Sequence, residues 1–119
     1  MSDLPEPLLD YEKLDVYRCA LELLRHSVLV IAELPKGETD LRSQLKRASS
    51  SVPLNIAEGT GKPTGPDRAR YYATARGSAM ECGALFDVCI ASGFLPTETA
   101  RQGRALVVRT VSMLTRLCR

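Results

Sequence analysis

The 119-residue sequence holds one histidine, His26, and its four cysteines form no C-x-x-C pair, so the ligand spacing of a zinc site is missing. No metal and no other cofactor is expected. E-x-x-H pairs are also absent, and no set of histidines could supply a base and its partner, so no catalytic residue can be named and no enzyme activity is expected. The longest apolar stretch, Val28 to Ala32, is far too short to cross a bilayer. Residues 1–10 carry acids and prolines where a signal peptide needs a basic start and an apolar run. A cytoplasmic protein without a membrane partner is the expectation. No segment sustains the alternation of a half-buried strand, which argues against a sheet.

What is present is an ordinary globular composition, with 45% apolar and 25% charged residues, in a chain long enough for one domain. Residues 1–12, with Pro5, Pro7 and several acids, are expected to form an extended N-terminal arm, mobile or packed on a neighbouring surface. Over residues 13–119, apolar residues recur at three- and four-residue steps in four segments joined by short connections. That pattern predicts an all-α, antiparallel up-down-up-down four-helix bundle.

The first helix is expected over residues 14–34. Its main stripe is Leu14, Tyr17, Leu21, Leu24, Val28 and Ile31, with Val16, Ala20, Leu23, Val30 and Leu34 beside it. Two stripes are more than one intramolecular seam needs, so the helix is expected to meet another subunit as well. The second helix, residues 39–59, starts at Thr39 or Asp40 as its cap and buries Leu41, Leu45, Ala48, Val52, Ile56 and Gly59. Pro53 removes a backbone donor inside it, and a kink is expected there.

The third helix, residues 65–92, opens on Thr64 paired with Asp67 and buries Tyr71, Ala75, Ser78, Cys82, Leu85 and Cys89. Cys82 and Cys89, seven apart on one face, read as core thiols. Gly77 and Gly83 point to close helix packing, because glycine inside a helix costs about 1 kcal/mol against alanine. The fourth helix, residues 97–118, is capped by Thr97 and buries Ala100, Gly103, Val107, Val111, Leu114 and Cys118.

Three blocks carry a resemblance to a known family: Leu14-Asp15-Val16-Tyr17, then Ser51-Val52-Pro53-Leu54-Asn55-Ile56-Ala57-Glu58-Gly59, then Ala75-Arg76-Gly77-Ser78-Ala79-Met80-Glu81. In order and spacing the chain resembles, over about residues 10–118, the small four-helix-bundle proteins encoded by intervening sequences of bacterial large-subunit ribosomal RNA genes. The resemblance implies a ring-shaped homopentamer without enzyme activity, and distant relatives that serve as nucleic-acid-binding accessory subunits of diversity-generating retroelement reverse transcriptases. Within the blocks, Pro53, Asn55, Glu58, Gly59, Gly77, Ser78 and Glu81 are candidates for structural roles, as polar groups and close contacts at bundle edges. A small-molecule pocket near Asn55, Glu58 and Glu81 is the competing reading.

Charge is unevenly spread, since residues 1–40 hold nine acids and four Lys/Arg while residues 41–119 hold five and twelve. The last helix concentrates it. Arg101, Arg104, Arg109, Arg116 and Arg119 fall within an arc of roughly 140° at about 100° per residue, opposite the apolar stripe. Arg42 and Lys46 are candidates to extend that ridge from the second helix. The arginine fork suits phosphate, and with few aromatics nearby the contact would be to backbone rather than to stacked bases. RNA, DNA or a nucleic-acid-processing protein is therefore the expected partner. The alternative is a structural assembly or adaptor whose cations are solvated or pair with the acidic segment of the next subunit.

Overall fold

A computed structural model of the chain describes residues 8–119, so residues 1–7 of the expected arm lie outside the described residues. Asp10–Lys13 form a short 3-10 helix, where extended chain was expected. The Glu12 carboxylate accepts from the Leu9 amide at 3.1 Å, and Tyr11 packs on Tyr17 with ring centroids 4.8 Å apart. A local acceptor and an aromatic contact thus hold this turn of chain against the start of α1. Four helices follow: α1 Asp15–Glu33, α2 Thr39–Thr60, α3 Gly65–Ala91 and α4 Thr97–Leu117. There is no strand among the described residues, and none of these helices is long and apolar enough to cross a membrane.

The ends of the helices show which local signals act. Thr64 caps α3, its hydroxyl accepting from the Asp67 amide at 3.3 Å, with Pro66 in the first turn. Gly93 closes α3 at φ 76°, and the Phe94 amide donates back to the Cys89 carbonyl at 2.8 Å. A left-handed residue is required there, and glycine takes it without a Cβ clash. The expected caps of α2 and α4 are corrected. Glu38 and Pro96 occupy the cap positions without a side-chain bond, and Thr39 and Thr97 are already helical. α2 runs through Pro53 as one uninterrupted helix, and Pro53 itself is buried.

α1 and α3 each pack chiefly on α2 and α4, around a core whose largest fully buried side chains include Phe86, Leu23, Leu45, Ile56 and Leu114. In α1 the core stripe is Val16, Ala20, Leu23 and Val30, the one expected to flank. Leu14, Tyr17 and Ile31 pack only at its margin, and Val28 is exposed. Small polar residues explain the rotation. The Cys19 sulfur lies 3.2 Å from the Thr110 hydroxyl of α4, and Ser27 donates to the Leu23 carbonyl at 2.8 Å, so both sit inside with their polar atoms satisfied. α3 buries Ala75, Cys82, Leu85 and Cys89 as expected, and its core stripe is widened by Tyr72, Ala79 and Phe86, while Tyr71 and Ser78 stay at the edge.

Candidate nucleic-acid interface

Packing fixes which side of α4 faces outward. Ala100, Gly103, Val107, Thr110 and Leu114 are buried, and the opposite face presents Arg101, Arg104, Arg109, Arg116 and Arg119, all exposed. Arg101 pairs with Glu98 at 3.7 Å and Arg109 with Glu22 of α1 at 3.9 Å. Exposed pairs of this kind contribute about 0–1 kcal/mol and leave both charges solvated. Arg104, Arg116 and Arg119 have no ion-pair partner among the described residues.

The ridge spans two grooves. Arg109 and Arg116 line the one between α1 and α4, with Asp15, Arg18 and Glu22 on its far wall. Arg104 lines the one between α3 and α4, beside Asp87 and Met80. Arginines that look contiguous along the sequence therefore divide into two groups with different surroundings.

Arg42 and Lys46 do not extend this ridge. Arg42 is half-buried and folds back on the end of α1, donating to the carbonyls of Leu34 at 2.6 Å, Lys36 at 3.0 Å and Ile31 at 3.4 Å. Leu34 and Lys36 lie just past the last turn of α1, and the Ile31 carbonyl in that turn also accepts from the Leu34 amide at 3.4 Å, so the guanidinium is a C-terminal cap. Lys46 lies between α1 and α2 with Leu24, Arg25, Val28 and Leu29. α4 is not a principal neighbour of α2, which separates Lys46 from the arginines.

A second cationic group was missed in the sequence. At the α2–α3 connection, Lys62 Nζ lies 5.0 Å and the Arg70 guanidinium 5.8 Å from the centre of the Tyr71 ring. Arg68 donates to the Lys62 carbonyl at 2.9 Å and stiffens the loop. Each cation has a weak acidic neighbour, Glu58 at 4.0 Å from Lys62 and Asp67 at 3.5 Å from Arg70. The signal available was two cations on either side of a Gly/Pro loop, but apolar periodicity says nothing of what such a loop brings together.

The motif residues form a helix contact. The Ser51 and Ser78 hydroxyls meet at 2.8 Å across α2 and α3, and the Asn55 amide donates to both the Ser51 carbonyl and its hydroxyl at 2.9 Å. A Cβ on Gly59 would stand 2.7 Å from Tyr71 Cβ, so only glycine admits this approach of α3. Glu58 and Glu81 are exposed on the surface, and the direct Ser51–Ser78 contact closes the helix pair between them. A Cβ on Gly77 would meet nothing within 4 Å, so close packing inside the chain does not explain it, whereas a Cβ on Gly83 would stand 3.4 Å from Val107 of α4.

The titrating groups with displaced values are two core thiols and one tyrosine at the margin of the core, and none belongs to either basic group. Burial, helped by the nearby Glu81 charge, pushes the Cys82 thiol up to about 12, and burial also raises Cys89. Tyr17 is raised by burial and by its neighbours Tyr11 and Glu12. All four cysteines are free, with Cys19, Cys82 and Cys89 buried and Cys118 half-buried.

Among curated proteins, none matches the chain. Residues 12–116, nearly the whole described helical region and all three motif blocks, match the family model described as 23S rRNA-intervening sequence protein, and the chain belongs to that family.

Proposed function

We propose that the chain is a non-enzymatic subunit of a homo-oligomer of antiparallel up-down-up-down bundles, and that its basic surface engages the phosphates of RNA or DNA. Resemblance to the intervening-sequence proteins supports five copies in a ring. The observation that carries the binding reading is the pair Arg116 and Arg119, exposed at the end of α4 with no ion-pair partner among the described residues. The Arg76 guanidinium donates to Thr115 at 2.9 Å, which sets the first half of α3 beside the last turns of α4. In an antiparallel bundle Lys62, Arg68 and Arg70 then share one end with Arg116 and Arg119. Phosphate contacts made by arginine and lysine position a polymer without reading its sequence, and repetition around an oligomer multiplies weak contacts.

Fluorescence anisotropy with a labelled single-stranded RNA and a DNA duplex, followed across salt, tests this. Affinity is expected to fall steeply with salt. Arg116→Glu with Arg119→Glu should weaken binding to both polymers and reduce the salt slope by about one for each arginine replaced. No binding at about 50 mM salt, where phosphate contacts are strong, rejects the nucleic-acid reading and leaves an adaptor or structural assembly.

A further inference from the structure

The outward sides of α1 and α3 are apolar where a bundle standing alone needs polar residues. Val28 and Leu29 of α1 are 43% and 63% exposed, and Met80 and Val88 of α3 are 52% and 46% exposed. α3 is the more unusual helix, because its exposed side also carries Ala73, Gly77 and Ala84 while its other side is core. Contiguous exposed apolar residues rimmed by charge mark a protein contact.

The rims differ in sign. On the first face Arg25 and Lys46 line the same groove as Leu24, Val28 and Leu29, and no acid lines it. On the second, Asp87 lines the groove with Met80 and Ala84, and Glu81 follows Met80 on the exposed side. Arg104 stands in that groove too, leaving the acids in excess by one. Arg25, Lys46, Glu81 and Asp87 have no ion-pair partner among the described residues. α1 and α3 occupy separate corners, each packed chiefly on α2 and α4, so one molecule cannot bring its own two faces together.

We infer that the α1–α2 face of one copy docks on the α3–α4 face of the next, Val28 and Leu29 against Met80, Ala84 and Val88, with Arg25 and Lys46 meeting Glu81 and Asp87. The first face set against itself would oppose cations, and the second against itself would oppose acids. The mixed pairing is the one that gives Arg25 and Lys46 acidic partners, whereas the second face set against itself has only Arg104 to offset its acids. Such a contact is head-to-tail: each copy keeps a free face of each kind until the chain of copies closes. This inference rests on the proposed self-association and names the two surfaces that carry it. It also accounts for Gly77, whose bare backbone lies on the side of α3 that the next copy approaches.

Three variants of the full chain test the pairing by light scattering at micromolar concentration, with circular dichroism to confirm helix content. Arg25→Glu with Lys46→Glu, and separately Glu81→Lys with Asp87→Lys, should each weaken association at least tenfold and shift the mass toward monomer. All four changes in one chain restore opposite charges at every contact, so its mass should return to that of the unaltered protein. Wild-type mass in either two-residue variant, or no recovery in the folded four-residue variant, overturns the pairing while leaving self-association standing. A monomeric unaltered protein removes both.

Discussion

A Cβ built on Gly103 would stand 2.7 Å from Cε2 of Phe86, closer than atoms of two packed side chains come. The His26 ring crowds the same point, with Cδ2 at 3.1 Å from it and Nε2 held 2.9 Å from the Thr99 carbonyl. Phe86 meets His26 edge-on at 5.8 Å, so the two rings and the bare α4 backbone fit together as one contact. Gly103→Ala gains about 1 kcal/mol of helix propensity but overpacks a buried aromatic at a cost of about 1–3 kcal/mol. Urea unfolding should show a net loss near 1 kcal/mol. Gly77→Ala, with open space around it in the chain, should instead raise the unfolding free energy of the dissociated subunit by about 0.5–1 kcal/mol.

Arg42 separates capping from binding. Its three bonds to the last turn of α1 and the connection after it are charge-assisted, and Arg42→Ala leaves the Leu34 and Lys36 carbonyls to water or to no partner. A loss of about 2 kcal/mol in unfolding free energy is expected. Arg42→Lys should recover little of it, because one ammonium cannot reach carbonyls spread across the fork. Nucleic-acid affinity of the folded Arg42→Ala protein should match the unaltered protein. A drop comparable to that of the Arg116 and Arg119 variant would return Arg42 to the binding surface.

The number of helices and most of their ends were legible because apolar spacing and turn residues are local signals, as at Thr64 and Gly93. Which stripe of α1 faces inward was not. Two apolar stripes of similar strength compete, and the choice is made by Cys19 and Ser27, whose polar atoms find partners only once the helix is folded or α4 is in place. The same holds for the cations. Arg42 and Lys46 are one turn apart, yet one is consumed by the carbonyls of α1 and the other looks across an apolar groove. Lys62, Arg70 and Tyr71 meet through a loop that no periodicity describes. Asn55 and Ser78 were expected to be structural, but their link through Ser51 required the register of α2 on α3.

The thiols give a measurement that reads the core directly. Thiolate is the reactive form, and burial holds Cys82 protonated up to about 12, against 9.0 for an ordinary thiol. Cys19 and Cys89 are buried as well, whereas Cys118 is half-buried at the end of α4. At about pH 8 a thiol-disulfide reagent should therefore modify Cys118 first, and the other three only after denaturant is added. The shift at Cys82 also couples stability to alkali. Above about pH 9 the unfolded chain releases this proton while the folded chain keeps it, so ionisation favours unfolding. The stability tied to Cys82 is present in full below pH 9.0 and declines as pH rises toward about 12. Cys82→Ala should flatten that decline relative to the unaltered protein in urea unfolding at a series of alkaline pH values. Equal slopes for the two proteins would mean that Cys82 ionises as readily folded as unfolded.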